Sequence, residues 1–154
     1  MKKEILVLTL CIFAILFRIV PHPPNFAPIT ALALFGSSTL KNKLSGTTLA
    51  LLTMFVSDLF LGFSMITPFV YGSFILISIL FRQMNLNTIL SSSLLFFIIT
   101  NFGVWILGYP HTLDGLIMCY TLAIPFFVNS IIGDLFFGYT LKYSFQYTHR
   151  RLIA

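Results

Sequence analysis

Apolar residues run through this 154-residue chain in long blocks, and the breaks between them fall at Pro, Gly, Asn and a few charges. Six segments result, at roughly 4–20, 27–40, 44–61, 66–82, 88–107 and 118–141. A helix needs about 20 apolar residues, each rising about 1.5 Å, to cross the hydrocarbon of a bilayer. The second segment is short and is expected to be tilted, broken or partly inserted. The last is long, and Pro125 is expected to part an interfacial turn from the span proper. Alternating strands of the kind that build membrane barrels are absent, and open sheet edges do not survive in lipid. The pattern predicts an all-α, polytopic membrane protein: one domain over residues 1–154, folded as a six-helix transmembrane bundle, with five helices as the alternative.

Composition strengthens that reading. Hydrophobic residues make up 58% of the chain and charged residues 8%, where soluble domains carry roughly 25%. So few charges cannot cover the surface of a water-soluble domain of this size. A soluble enzyme, a disordered tail, a disulfide scaffold and a nucleic-acid-binding domain are all excluded on that ground. The net charge of +5 has another use, because short cytoplasmic loops of membrane proteins collect Lys and Arg.

Lys2 and Lys3 followed by an apolar run resemble a secretory signal, but no small-residue cleavage site follows before Arg18 and the prolines. The run is read as a retained first helix. With the N-terminus inside, Lys2, Lys3, Lys41, Lys43, Arg82, Lys142, Arg150 and Arg151 all fall on the cytoplasmic side. Only Arg18, of nine basic residues, lies within a span. Both termini are therefore expected in the cytoplasm. The three loops on the other face, at 21–28 (PHPPNFAP), 62–68 (GFSMITP) and 108–115 (GYPHTLDG), hold no Lys or Arg and gather Pro, His, Asn and Gly. Stiff turns with polar tips suit a binding surface, although Pro and Gly also simply punctuate helices.

Several segments carry a resemblance over nearly the whole chain: RIVPHPPNFAPITALALFG (18–36), SDLFLGF (57–63), FVYGSF (69–74), LFFIITNFGVW (95–105), CYTLAIPFF (119–127) and GDLFF (133–137). On these the chain resembles the DUF6580 family, small bacterial membrane proteins described as transport proteins. Their size, spans and topology are similar to the substrate-binding S components of energy-coupling-factor (ECF) transporters. That resemblance implies a six-helix protein of the bacterial cytoplasmic (inner) membrane that captures a micronutrient on its outer face. It also implies a transmembrane coupling subunit and two ATPase subunits as partners. The chain itself has no GxxxxGKS or GxxxxGKT loop, so any energy must come from elsewhere.

Ionisable groups inside a span need a partner or a task. Arg18 and Asp58 are placed at similar depth near the outer face, which suggests a buried pair that either fixes helix packing or anchors a polar ligand. Asn101 and Trp105 are four apart and share a helix face with Phe97. They could bind a flat ring, or Trp105 and Tyr109 could belong to an interfacial aromatic belt. His22 and Asn25, like His111 and Asp114, lie in outer loops without the spacing of a metal motif. Asn129 and Asp134 lie deeper on the last helix, and Tyr71 in FVYGSF completes the candidate set. GDLFFGY (133–139) echoes SDLFLGF (57–63), as an inverted repeat or by coincidence. Cys11 and Cys119 are not expected to pair, and soft-metal ligation by Cys119 is a weak alternative. Small residues at Ala27/Ala31 and Ala33/Ser37 would let the second helix approach another closely, within this bundle or on a partner.

The expected function is substrate binding for micronutrient uptake, of the vitamin or cofactor-precursor class, with the lipid bilayer and a small molecule as partners. A membrane scaffold for assembly and a stand-alone ion-coupled carrier are the alternatives. No HExxH, GxSxG or paired catalytic carboxylates occur, so no enzyme is expected, and no cofactor or metal is implied.

Overall fold

The computed structural model describes residues 2–39 and 43–153. Among these it contains six helices and no strand: α1 (Lys2–Ile19), α2 (Ile29–Thr39), α3 (Lys43–Leu61), α4 (Thr67–Leu80), α5 (Leu86–Gly108) and α6 (Leu113–Ile153). The all-α class and the six segments read from the sequence are observed. Two helices are long and apolar enough to cross a membrane, Leu86–Gly108 and Leu113–Tyr147. The others are shorter apolar helices, and α2, with 11 residues, rises only about 16 Å.

Local chemistry sets most boundaries. Pro21, Pro23 and Pro24 follow α1 and hold the chain away from helical geometry. The α3 helix stops at Gly62, whose positive φ of 89° closes the last turn through a bond from its N–H to the Asp58 carbonyl (2.8 Å). Pro68 lies in the first turn of α4, where a missing N–H costs nothing. A reciprocal capping box opens α5: Asn85 Oδ1 accepts from the Thr88 N–H, and Thr88 Oγ1 accepts from the Asn85 N–H. One expectation fails here. Pro125 lies inside α6 and does not divide it, so the segment expected at 118–141 is a single helix of 41 residues.

The short α2 is the centre of the molecule. It packs against all five other helices, and every residue from Ile29 to Ser37 is buried. Its sequence, ITALALFGSST, holds no charge. The small residues it offers are used within this bundle. Gly36 lies against Gly46 of α3, and a Cβ on Gly46 would run into backbone atoms of Ala33, Gly36 and Ser37. A Cβ on Gly36 would meet the Gly46 Cα just as closely.

Outside, the molecule is apolar. Ile5, Leu8, Ile12 and Leu16 form a stripe on α1, and Leu90, Leu94, Ile98, Phe102 and Ile106 form one on α5. Inside lie Ser57, Ser73, Ser78, Ser92, Ser93, Thr100 and Ser130, all buried. Each hydroxyl lies within hydrogen-bond distance of a carbonyl three or four residues earlier in the same helix, and Ser57 and Ser93 also have partners on other helices. Water would favour the opposite distribution.

Arg82 and Lys142 lie at the end of the bundle where α4 turns into α5, and Lys142 Nζ donates to the Met84 carbonyl there (2.8 Å). Lys41 lies outside the described residues, as do the side chains of Lys2, Lys3, Lys43, Arg150 and Arg151.

Candidate functional site

The opposite end carries the connections α1–α2, α3–α4 and α5–α6, and beneath them three cavities adjoin one another across shared wall residues, as the lobes of a cleft. The first, of about 210 Å³, lies between Arg18, His22, Asn25, Thr30, Phe74 and Ser130. The second, of about 350 Å³, is walled by Tyr109, Thr100, Asn101, Leu122 and Phe126. The third, of about 150 Å³, lies over Arg18, Asp58 and Tyr71. Val70 borders all three, while Asn25 and Phe96 separate the first from the second.

Arg18 and Asp58 meet, as their similar depth suggested. Arg18 Nη2 lies 2.8 Å from Asp58 Oδ1, and the Tyr71 hydroxyl donates to Asp58 Oδ2 at 2.8 Å. Arg18 Nη1 also donates to Ser57 Oγ and to the Met54 carbonyl. Three helices, α1, α3 and α4, are thus tied by one charge pair. Their positions follow from sequence: Arg18 is in the last turn of α1 and Asp58 in the last turn of α3, so both reach the same end of parallel neighbours.

Asn25 adopts a positive φ of 63°, a conformation that asparagine tolerates better than most residues, and it forms the rim between two lobes. His22 lines the first lobe, with Nδ1 on the Val20 carbonyl (2.8 Å) and its ring against Phe17. Asn101 faces the second lobe, and its amide donates to the Phe97 carbonyl at 2.8 Å. Tyr109 closes that lobe from the α5–α6 connection.

Three expected site residues do not line the cleft. Trp105 does not join Asn101 there: its Nε1 donates to the Pro110 carbonyl (3.0 Å) and its ring rests on Phe102 and His111. Shared helix face was not enough, because the turn at Tyr109–Pro110 folds back and takes the indole. Asn129 pins the α1–α2 connection, donating to the Pro24 carbonyl at 3.1 Å. Asp134 is buried behind the cleft on α6, where Ser93 of α5 donates to Oδ2 at 2.7 Å and the Thr30 hydroxyl lies beside it. Asp58 and Asp134, matched in the SDLFLGF/GDLFFGY echo, have different partners. The paired glycines differ too: Gly62 ends a helix, and Gly138 packs within one against Ile89.

Trp105→Phe is expected to lower stability by about 1 kcal/mol through loss of its hydrogen bond, seen as a reduced midpoint of thermal unfolding in detergent. Its ring contacts survive the change, so a loss several times larger would contradict a role confined to the α5–α6 connection.

Sequence reading missed Thr30, Val70, Phe96, Ser130 and the apolar wall at Leu122 and Phe126. Nothing in a Val or a Phe among 18 phenylalanines marks it for a site. Among the described residues no three of His, Cys, Asp and Glu converge as metal ligands. Cys119 is buried with its thiol near the Asn101 carbonyl (3.5 Å).

No curated protein and no solved structure matches the chain. A protein-family model does, over residues 1–154, and the chain belongs to that family, DUF6580, a family of unknown function.

Proposed function

We propose that this protein is a membrane-embedded component that binds a small molecule, of the vitamin or cofactor-precursor class, for uptake. In this reading the six helices form a transmembrane bundle in the bacterial cytoplasmic membrane with both termini inside. The cleft then opens on the outer face, and partner subunits, a coupling protein with two ATPases, supply the energy. The likeness to ECF S components is an analogy of architecture.

The observation that carries the reading is the cleft itself. It joins a charge-paired polar lobe to a mostly apolar lobe, at the end of the bundle away from Arg82 and Lys142. Its second lobe, at about 350 Å³, lies in the range of roughly 300–1,000 Å³ typical of small-molecule sites. A pure scaffold has no need of such a space. The short α2 is compatible with lipid, because Ile29 to Ser37 are buried among the other five helices.

Val70 stands at the junction of all three lobes, so Val70→Trp fills the site from within. The test is purification of the wild type and Val70→Trp from native membranes, with mass spectrometry of bound small molecules and subunits. A small molecule held by the wild type and lost from Val70→Trp is the expected result. Retention of only cell-wall assembly proteins, with no small molecule in either sample, would overturn the proposal in favour of a scaffold.

A further inference from the structure

We propose that the occupant of the cleft is an uncharged amphiphile, with a flat apolar body in the second lobe and a hydrogen-bond-accepting head in the first. This rests on the binding role proposed above and narrows it to a chemical class.

The charge balance of the walls is the first argument. Of the Lys, Arg, Asp and Glu side chains among the described residues, Arg18 and Asp58 are the ones that line the three lobes. These two neutralise each other directly at 2.8 Å. Asp58 has its second oxygen on Tyr71, so the pair is complete without a ligand. A molecule with net charge would lose its hydration beside walls whose own charges already cancel, which leaves that charge unpaired and is unfavourable.

Hydrogen-bond capacity gives the orientation. A guanidinium has five N–H donors, and Arg18 commits three, to Asp58, Ser57 and Met54, which leaves two. The first turn of α2 supplies Ile29 and Thr30 to the same wall, and the positive end of a helix favours acceptors. The first lobe is therefore rich in donors. In the second lobe two polar side chains are turned to their own helix: the Thr100 hydroxyl donates to the Phe96 carbonyl and the Asn101 amide to the Phe97 carbonyl. Phe96, Val104, Tyr109, Leu122 and Phe126 complete that space, which suits a flat ring.

Three indoles of nearly equal size test the charge rule: tryptophol (uncharged), indole propionate (anionic) and tryptamine (cationic). Each is titrated into the full-length protein in lipid nanodiscs, with calorimetric affinity and thermal stabilisation as readouts. Tryptophol is expected to bind at least about tenfold tighter than either charged probe. Ser130→Asp puts a carboxylate into the polar lobe and is expected to move the preference to tryptamine. The wild-type ranking decides the matter even if that variant does not fold. A charged probe that binds the wild type as tightly as tryptophol overturns the charge rule and leaves the binding role intact. If none of the three binds, and Val70→Trp behaves as the wild type does, the binding role itself is overturned.

Discussion

Gly46→Ala is expected to destabilise the protein by about 3 kcal/mol or more, a large effect for a single methyl group. The added carbon would lie within the backbone of α2, against Ser37 N, Ala33 O and Gly36 C. Backbone atoms cannot rotate aside as a side-chain tip can, so α2 and α3 must separate. Because α2 contacts every other helix, that shift loosens the whole bundle. Gly72→Ala in α4 is the matched control, since nothing lies within 4 Å of the new carbon. There the gain in helix propensity, up to about 1 kcal/mol, is expected to dominate and raise stability. The pair is checked by thermal unfolding in detergent, monitored by size-exclusion chromatography. Equal midpoints for the two variants would contradict the close α2–α3 contact.

Removing the carboxylate of Asp58 is the second large effect. Asp58→Leu is expected to cost roughly 3 kcal/mol, because it strands the Arg18 guanidinium and leaves the Tyr71 hydroxyl without its acceptor. Arg18→Met leaves the carboxylate unpaired and is expected to cost a similar amount. The double variant is expected to recover much of the loss, because breaking a buried pair costs more than replacing it by apolar groups. A double-mutant cycle measures the coupling. Additive losses would show that the two residues stabilise the protein separately. The same double variant separates structure from recognition. If Arg18 also holds the head of a ligand, the repaired protein is stable yet fails to bind tryptophol; if the pair is only a clamp between helices, binding persists.

Much of the fold was legible before any coordinates. Long apolar blocks, interrupted where Pro, Gly and the Asn85–Thr88 cap fall, mark the helices to within a few residues at most ends. Pro125 misled for a physical reason. A proline removes one N–H and strains one turn, but a long helix packed against α5 and α2 on both sides of it has enough contacts to continue. The site was partly legible, because ionisable residues are so scarce in this chain that each draws attention. Arg18 and Asp58 could be paired from their depth alone. Trp105 and Asn129 drew the same attention, and both fasten loops rather than line the cleft.

The pattern of charge and apolar residues by itself determined the all-α class and the six helices among the described residues. Those properties depend on the solvent each segment prefers, which is a sum over residues and needs no neighbours. Only the tertiary structure decided that α2 lies at the centre, that Gly46 lets it in, and that Val70, Phe96 and Ser130 meet Arg18 around one space. A cavity is the volume that packing leaves unfilled, so it depends on where distant helices come to rest, and no stretch of sequence records it.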